Sequence, residues 1–265
     1  MPIQSSYGKL AFSEDFLGTG ATASIADATA GTRFNDIGLV AISGQTEIDF
    51  TVDEPNGVAS FSGAGGAADG IALYSAPMRP DRNGTIWTEA RFKNASATDF
   101  RAFFGFMSTF LQSEPVNPFT LSSTTLTANN SGEAVGFYTD AAATLDDFRF
   151  LSSTAGGADL TAAYDYALDG QTVGTLGIRA KATLTADSYY IARVEMDPDG
   201  TVRGYFGHES MANTTGLTLV ATLKRGTMTA TAMYFPVLLL AATSTGDPLA
   251  EVDYFRGGGN RHWSA

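Results

Sequence analysis

Cysteine and histidine, two side chains that often carry enzyme chemistry, are absent or scarce in this chain. It contains no cysteine, which excludes disulfides, thiolate metal ligands and a cysteine nucleophile. Its two histidines, His208 and His262, lie far apart in the sequence, and neither has a second histidine at metal-ligand spacing. A zinc site is therefore not predicted, and the remaining candidates are aromatic and acidic side chains.

Two aromatic residues, Trp87 and Tyr138, are candidate carbohydrate-binding residues. Each lies in a stretch that reads as a strand, residues 86–92 and 134–139. An aromatic ring can stack on a sugar while neighbouring Asp and Asn side chains hydrogen-bond its hydroxyls. The alternative for both is a place in the core, where strand aromatics are found more often.

Strands must position these side chains, and alternation of apolar and polar residues predicts them along most of the chain. Residues 10–16 and 250–256 alternate, and we expect them to pair in one sheet. In residues 86–92 the apolar set should face the core, which leaves Trp87, Glu89 and Arg91 on the opposite face. The clearest hairpin runs over residues 189–207, with its turn at 197–200.

No segment shows a sustained helical period, and about twelve short strands are predicted. Two stacked antiparallel sheets are the natural packing for them, so the predicted fold class is an all-β, two-sheet antiparallel β-sandwich. The 265 residues show no linker-like break. We expect one domain over residues 1–265, with flexible ends (about 1–9 and 257–265) and a long loop at 109–132.

Charge and hydropathy limit the partners. The net charge of −12 argues against nucleic acid, since phosphate binding needs clustered Lys and Arg. The chain begins without the basic patch and apolar run of a signal peptide. Its longest apolar run, residues 233–242, contains Pro236 and is far shorter than the roughly 20 residues that span a bilayer. We expect no membrane partner and synthesis in the cytoplasm.

Several short motifs, in their order along the chain, resemble the concanavalin A-like lectin/glucanase jelly-roll superfamily. They lie at residues 14–16, 88–92 with 104–106, 136–138, 190–204 and 251–256, and together span nearly the whole chain. The resemblance implies a jelly-roll sandwich. It also implies that the terminal strand can help to bind calcium, which makes Glu14, Asp15 and Asp253 candidate calcium ligands. Surface acids without a metal are the alternative, and no other cofactor is expected.

The superfamily also includes glycoside hydrolases whose catalytic strand carries Glu-x-Asp-x-(x)-Glu. Here Glu47 and Asp49 fit the first part, but Thr51 and Val52 stand where the second Glu belongs. A retaining hydrolase needs two carboxyl groups about 5–5.5 Å apart. The incomplete motif leads us to expect no enzyme activity, with glycan hydrolysis or elimination as a weaker alternative.

Two non-enzymatic functions remain. The cysteine-free, Gly-, Ala- and Thr-rich composition resembles jelly-roll proteins of tailed-bacteriophage virions. The first hypothesis is therefore a virion structural protein made in the host cytoplasm, a capsid decoration or cement protein or another particle-surface subunit. It would bind neighbouring capsid or other virion proteins and form a symmetric homo-oligomer. The second is a lectin-like domain that binds a glycan through Trp87 or Tyr138.

Overall fold

The chain is built almost entirely of strands. The structure, a computed structural model, describes residues 9–16, 23–25, 32–34, 37–43, 46–51, 57–63, 70–94, 99–110, 117–122, 125–129, 132–141, 145–153, 160–162, 178–183, 186–208, 217–243 and 250–260. Their elements are β1 Lys9–Glu14, β2 Ala23–Ile25, β3 Thr32–Phe34, β4 Ile37–Ser43, β5 Thr46–Thr51, β6 Val58–Gly63, β7 Gly70–Tyr74, α1 Pro80–Asn83, β8 Ile86–Asn94, β9 Arg101–Met107, β10 Phe119–Ser122, β11 Thr125–Ala128, β12 Ala134–Asp140, β13 Leu145–Ser153, β14 Leu160–Ala162, β15 Ile178–Thr183, β16 Ser188–Met196, β17 Val202–His208, β18 Thr218–Leu223, β19 Phe235–Ala241 and β20 Ala250–Asn260.

Two large antiparallel sheets contain nearly all of these strands. Sheet A has the order β18-β17-β16-β8-β20-β6-β5-β2, with β1 also paired to β20. Sheet B has the order β14-β13-β12-β9-β19-β7-β4-β3, with β15 also paired to β13. The main apolar core includes inward side chains of both sheets, such as Phe92 and Tyr190 from sheet A and Phe104 and Phe137 from sheet B. The predicted two-sheet antiparallel β-sandwich is therefore confirmed.

The pairing of the first and last strands is as the alternation predicts. β1 runs antiparallel to β20, with Glu14 opposite Phe255 and Lys9 opposite Asn260. Residues 257–260 are thus part of a strand, and the prediction of a flexible end there is wrong for these four residues. Glycines have no side chain whose alternation could predict a strand. They do fit the narrow space between the neighbouring backbones here. A Cβ on Gly257 would lie 2.5 Å from the backbone oxygen of Trp87.

A second apolar cluster covers the outer face of sheet B. It contains alternate residues of the same strands, among them Phe103, Tyr138 and Leu239, together with Phe119. β10 and β11 pair as a hairpin within residues 119–128, so the prediction of a continuous loop over 109–132 is wrong there. The Phe119 ring lies 5.8 Å from that of Phe103 and is fully buried. Burial of such a ring contributes about 2–3 kcal/mol, which attaches the hairpin to the sheet.

The hairpin of β16 and β17 has its turn where the sequence predicts it. Met196 lies opposite Val202, and Gly200 closes the turn with φ +80°. This left-handed conformation favours glycine. The hairpin continues the sheet from β8, since Arg193 lies opposite both Glu89 and Tyr205. Within the described ranges, no helix is both long and apolar enough to cross a membrane.

Candidate binding face on sheet A

Alternation along the central strands of sheet A separates an apolar face from a charged one. On β8, Ile86, Ala90 and Phe92 are buried in the core, while Trp87 and Arg91 are only half-buried. The predicted orientation of this strand is confirmed. We call the outward side chains of β8, β16, β17 and β20 the outer face of sheet A.

Glu89 is the hub of this face. Its carboxylate is almost completely buried, yet it lies between two arginines at directly paired positions, Arg193 of β16 and Arg256 of β20. Arg256 donates to Oε1 from Nη2 at 2.5 Å and from Nε at 3.2 Å, and Tyr254 donates its hydroxyl to the same oxygen at 3.0 Å. Arg193 donates from Nη1 to Oε2 at 3.2 Å. The buried charge is thus paired and hydrogen-bonded.

The same pattern continues across β16 and β17. Glu195 accepts from Nε of Arg193 at 2.9 Å, from Nε of Arg203 at 3.4 Å and from the Tyr205 hydroxyl at 3.1 Å. Arg203 also donates a hydrogen bond to Asp197 from each of its two terminal nitrogens, at 2.6 and 2.8 Å. Acids and arginines therefore alternate across four neighbouring strands. Bidentate pairs of this kind fix the side-chain positions more firmly than single contacts.

The far end of the face is centred on Tyr189. The guanidinium carbon of Arg91 lies 3.7 Å from the centre of its ring, and the Lys93 amine lies 5.2 Å away. Its hydroxyl donates to Glu251 at 3.0 Å, and Lys93 pairs with Glu251 at 2.9 Å. Arg91 pairs with Asp253, which lies where the register between β20 and β8 shifts.

The tyrosines of the face are held in the protonated form. Burial raises the pKa of Tyr254, and the nearby Glu89 carboxylate raises it further. Burial and Glu251 do the same to the pKa of Tyr189. The pKa of Tyr205 is raised for equivalent reasons. Each hydroxyl therefore acts as a hydrogen-bond donor to a carboxylate at neutral pH.

Asp197 is shifted in the opposite direction. Burial alone would raise its pKa, but hydrogen bonds from Arg203 and from the Thr85 hydroxyl outweigh burial and lower the pKa below its usual value. The Thr85 bond, 2.8 Å long, connects Asp197 to the start of β8. This carboxylate is therefore ionised at neutral pH and stabilises the junction of the two strands.

Trp87 is a half-buried aromatic residue on the outer face. The guanidinium carbon of Arg193 lies 4.6 Å from its ring centre and covers one side of the indole by a cation–π contact. On the β20 side its paired residue is Gly258, which has no side chain, and the residue opposite Gly258 on β1 is Ala11, which is exposed. We call Trp87, Gly258 and Ala11 the Trp87 shelf.

The second predicted sugar-stacking residue, Tyr138, lies elsewhere and is covered. It projects from the outer face of sheet B into the second apolar cluster and is fully buried, with the Phe119 ring 5.7 Å away. Its hydroxyl donates to Asp140 at 2.9 Å. The prediction that Tyr138 offers a stacking surface is therefore wrong, because the β10–β11 hairpin lies over the sheet at this point.

The three predicted calcium ligands do not come together. Glu14 is buried, and its Oε1 accepts a hydrogen bond at 3.0 Å from the backbone nitrogen of Phe16, two residues along the chain. Asp253 lies on the outer face, where it pairs with Arg91, and Asp15 is exposed. Alternation sends Glu14 and Asp253 to opposite sides of sheet A, so the three acids do not form a coordination site. Among the residues described, no group of three acids or histidines could hold a metal ion.

The remaining candidate residues lie outside the described residues or side chains. Glu47 and Asp49 belong to β5 and His208 to β17, but their side chains are not among those described. His262 lies beyond the described residues.

The charged network around Glu89 was not anticipated. Its signal in the sequence is the alternation of charge at outward positions, Glu89 and Arg91 on one strand and Arg193 and Glu195 on another. The signal becomes specific only when the register is known.

Comparison with known proteins supports the fold. No protein-family model and no curated protein matches the chain. The protein of unknown function SO2946 from Shewanella oneidensis MR-1 is similar over all of this chain and 92% of its own length, with 12% identity and a TM-score of 0.58. The CBM2 module of the Lactobacillus casei BL23 phage J-1 evolved Dit is similar over 97% of this chain and 99% of its own, with 11% identity and a TM-score of 0.52. The Emp47p carbohydrate recognition domain covers 89% of this chain and 94% of its own, with 13% identity and a TM-score of 0.49.

At this level of identity the likenesses show the fold alone. Together with the two antiparallel sheets, the likenesses to SO2946 and to the phage module confirm the predicted class, an all-β, two-sheet antiparallel β-sandwich.

Proposed function

We propose that the protein is a non-enzymatic, lectin-like module that binds a glycan on the outer face of sheet A. The Trp87 shelf carries this proposal. Arg193 holds the indole from one side, while the paired position on the other side is a glycine. A sugar ring can stack on an aromatic surface of this kind, and the surrounding arginine, tyrosine and carboxylate groups can hydrogen-bond its hydroxyls.

The rigidity of the face supports a binding function. The side chains around Trp87 are already fixed to one another, so that little conformational entropy remains to be lost on binding. Aromatic residues and arginine are also the residue types enriched at binding surfaces, and the outer face contains Trp87, Tyr189, Tyr205 and Tyr254 beside its arginines.

The state of the carboxylates supports a function without catalysis. A glycosidase needs one carboxyl group that is free to attack or to activate water and a second that can give up a proton. On the outer face, Glu89 and Glu195 are both paired with arginines, and Asp197 is paired with Arg203. Such pairing directs the carboxylate lone pairs to the guanidinium groups.

Trp87→Ala tests the proposal. A glycan array identifies ligands of the wild-type protein, and calorimetry then gives their Kd. Loss of a stacking contact worth about 1.5 kcal/mol should weaken binding roughly tenfold. Leu219→Ala, an exposed large-to-small change on strand β18 of the same sheet, is the matched control and should leave Kd unchanged. Equal Kd values for Trp87→Ala and wild type would refute the assignment of the site, and a silent array would refute glycan binding.

The likeness to a phage module supports a second proposal, that this module acts on the surface of a virus particle. It would be made in the host cytoplasm, assemble into the virion as a homo-oligomer and contact neighbouring capsid or other virion proteins. Mass photometry would measure the oligomer, and co-sedimentation with purified tailed-phage particles would measure attachment. A monomer that stays in the supernatant would contradict this proposal and leave glycan binding untouched.

A further inference from the structure

We propose that the ligand of the Trp87 shelf is an acidic glycan, one whose sugars carry carboxylate groups, and that Arg256 is the residue that selects it. This inference rests on the proposed glycan-binding function and names the class of glycan. It follows from the depth at which the positive and negative groups of the outer face lie.

The charges of the face are layered, with most carboxylates below the cations. The Arg256 side chain is 46% exposed and that of its partner Glu89 only 4%. Arg91 is 30% exposed against 14% for Asp253. Among the ion pairs of the described face, only that of Lys93 and Glu251 has a carboxylate more exposed than its cation. A ligand approaching from solvent therefore meets guanidinium groups first.

Arg256 also has hydrogen-bonding capacity to spare. Nε and Nη2 donate to Glu89, and no described residue accepts from Nη1. The guanidinium carbon lies 4.7 Å from the centre of the Tyr254 ring, which helps to hold the group in place. A third donor on a fixed, partly exposed guanidinium suits a carboxylate oxygen.

Arg256 lies beside the shelf. Arg256 and Gly258 are alternate residues of β20 on the same face, so their backbones are about 7 Å apart. Ser13 of β1 lies opposite Arg256, as Ala11 lies opposite Gly258, and both β1 residues are exposed. Small side chains thus continue from the shelf to Arg256, and a sugar stacked on Trp87 can direct a carboxylate toward Nη1.

The overall charge makes this selection local. The protein carries a net charge of −12, which repels an acidic ligand at long range. The Debye length is about 8 Å at physiological ionic strength, so distant acids are screened while a direct contact to Arg256 is much less affected. The direct contact to Arg256, and not the charge of the whole protein, would therefore determine where an acidic glycan binds.

Calorimetry with matched probes tests the inference. Hexagalacturonate supplies carboxylates, and its carboxyl-reduced counterpart has the same sugar rings without charge. Sialyllactose and lactose form a second such pair. One charge-assisted hydrogen bond should make the acidic member of a pair bind about tenfold more tightly. Arg256→Gln should remove most of this difference, and Arg256→Lys, which keeps the charge, should preserve part of it.

Arg225→Gln is the matched control, because Arg225 is exposed on a turn and lies 4.0 Å from Asp199, outside the outer face. It should leave the preference unchanged. Equal binding of acidic and reduced probes would overturn the inference, and loss of that binding in Trp87→Ala would show that the proposed function still holds. A preference unaffected by Arg256→Gln would overturn the role of Arg256. Failure of every probe and of the glycan array would overturn both proposals.

Discussion

Replacement of Glu89 by glutamine should destabilise the protein far more than loss of an exposed acid. The substitution keeps the size of the side chain but removes the charge that two arginines and a tyrosine hydroxyl share. Arg193, Arg256 and Tyr254 would then face a neutral amide whose nitrogen is itself a donor.

The size of the effect follows from burial. Breaking a buried ion pair by removing one partner costs roughly 3–5 kcal/mol, because a charge is left uncompensated. Glu89 is buried, but Arg193 and Arg256 are partly exposed and can recover some hydration. We therefore expect a loss of about 2–3 kcal/mol in the free energy of unfolding, between the buried and the exposed limits.

Urea denaturation at neutral pH measures this loss. Glu251→Gln is the matched control, since Glu251 pairs with Lys93 on the same face but is more exposed than Glu89, and it should cost about 0–1 kcal/mol. A double-mutant cycle with Arg256→Gln should show coupling of about 0.5–3 kcal/mol. If Glu89→Gln costs no more than Glu251→Gln, Glu89 does not hold the outer face together, and the rigid face that we propose for binding is not built around this residue.

Two further predictions concern stability. Tyr234→Phe should lower the free energy of unfolding, measured by urea denaturation, by about 1–3 kcal/mol, because the buried Tyr234 hydroxyl donates to Glu133. A loss no greater than that of Tyr205→Phe, on the half-buried outer face, would argue against this reason. Asp197 has a lowered pKa in the folded protein, so its stabilising effect is present above the unfolded pKa of about 3.9 and is lost as pH falls through the folded value. Asp197→Asn should therefore be less stable than wild type at pH near 7, and the gap should narrow as the pH falls below the unfolded pKa of about 3.9. A gap that does not narrow in acid would contradict this explanation.

Alternation was enough to predict the fold class and the orientation of several strands. It placed Trp87 and Arg91 outside and Phe92 inside, because a strand with one buried face must alternate. It also predicted that residues near 15 and 253 share a sheet, since both segments have one apolar face.

The errors arose where local pattern gives little information. Gly257 and Gly259 have no side chain to reveal a strand, and their place in β20 depends on contacts with β1 and β8. Tyr138 lies on a strand buried on both faces, and alternation cannot show that a hairpin beginning at Phe119 covers it. The Glu89 network required knowledge of which residues lie opposite one another, and that register is a property of the whole sheet.

The antiparallel pairing of Lys9 with Asn260 also determines how the sandwich would respond to mechanical load. These two residues are at the same end of adjacent strands, so a force pulling them apart acts across the ladder and not along it. The hydrogen bonds between β1 and β20 would then break one after another, whereas under shear they would bear the load together. Tension applied through residues 9 and 260 would peel β1 away from β20 beside the Trp87 shelf, which would couple the shape of that surface to the load.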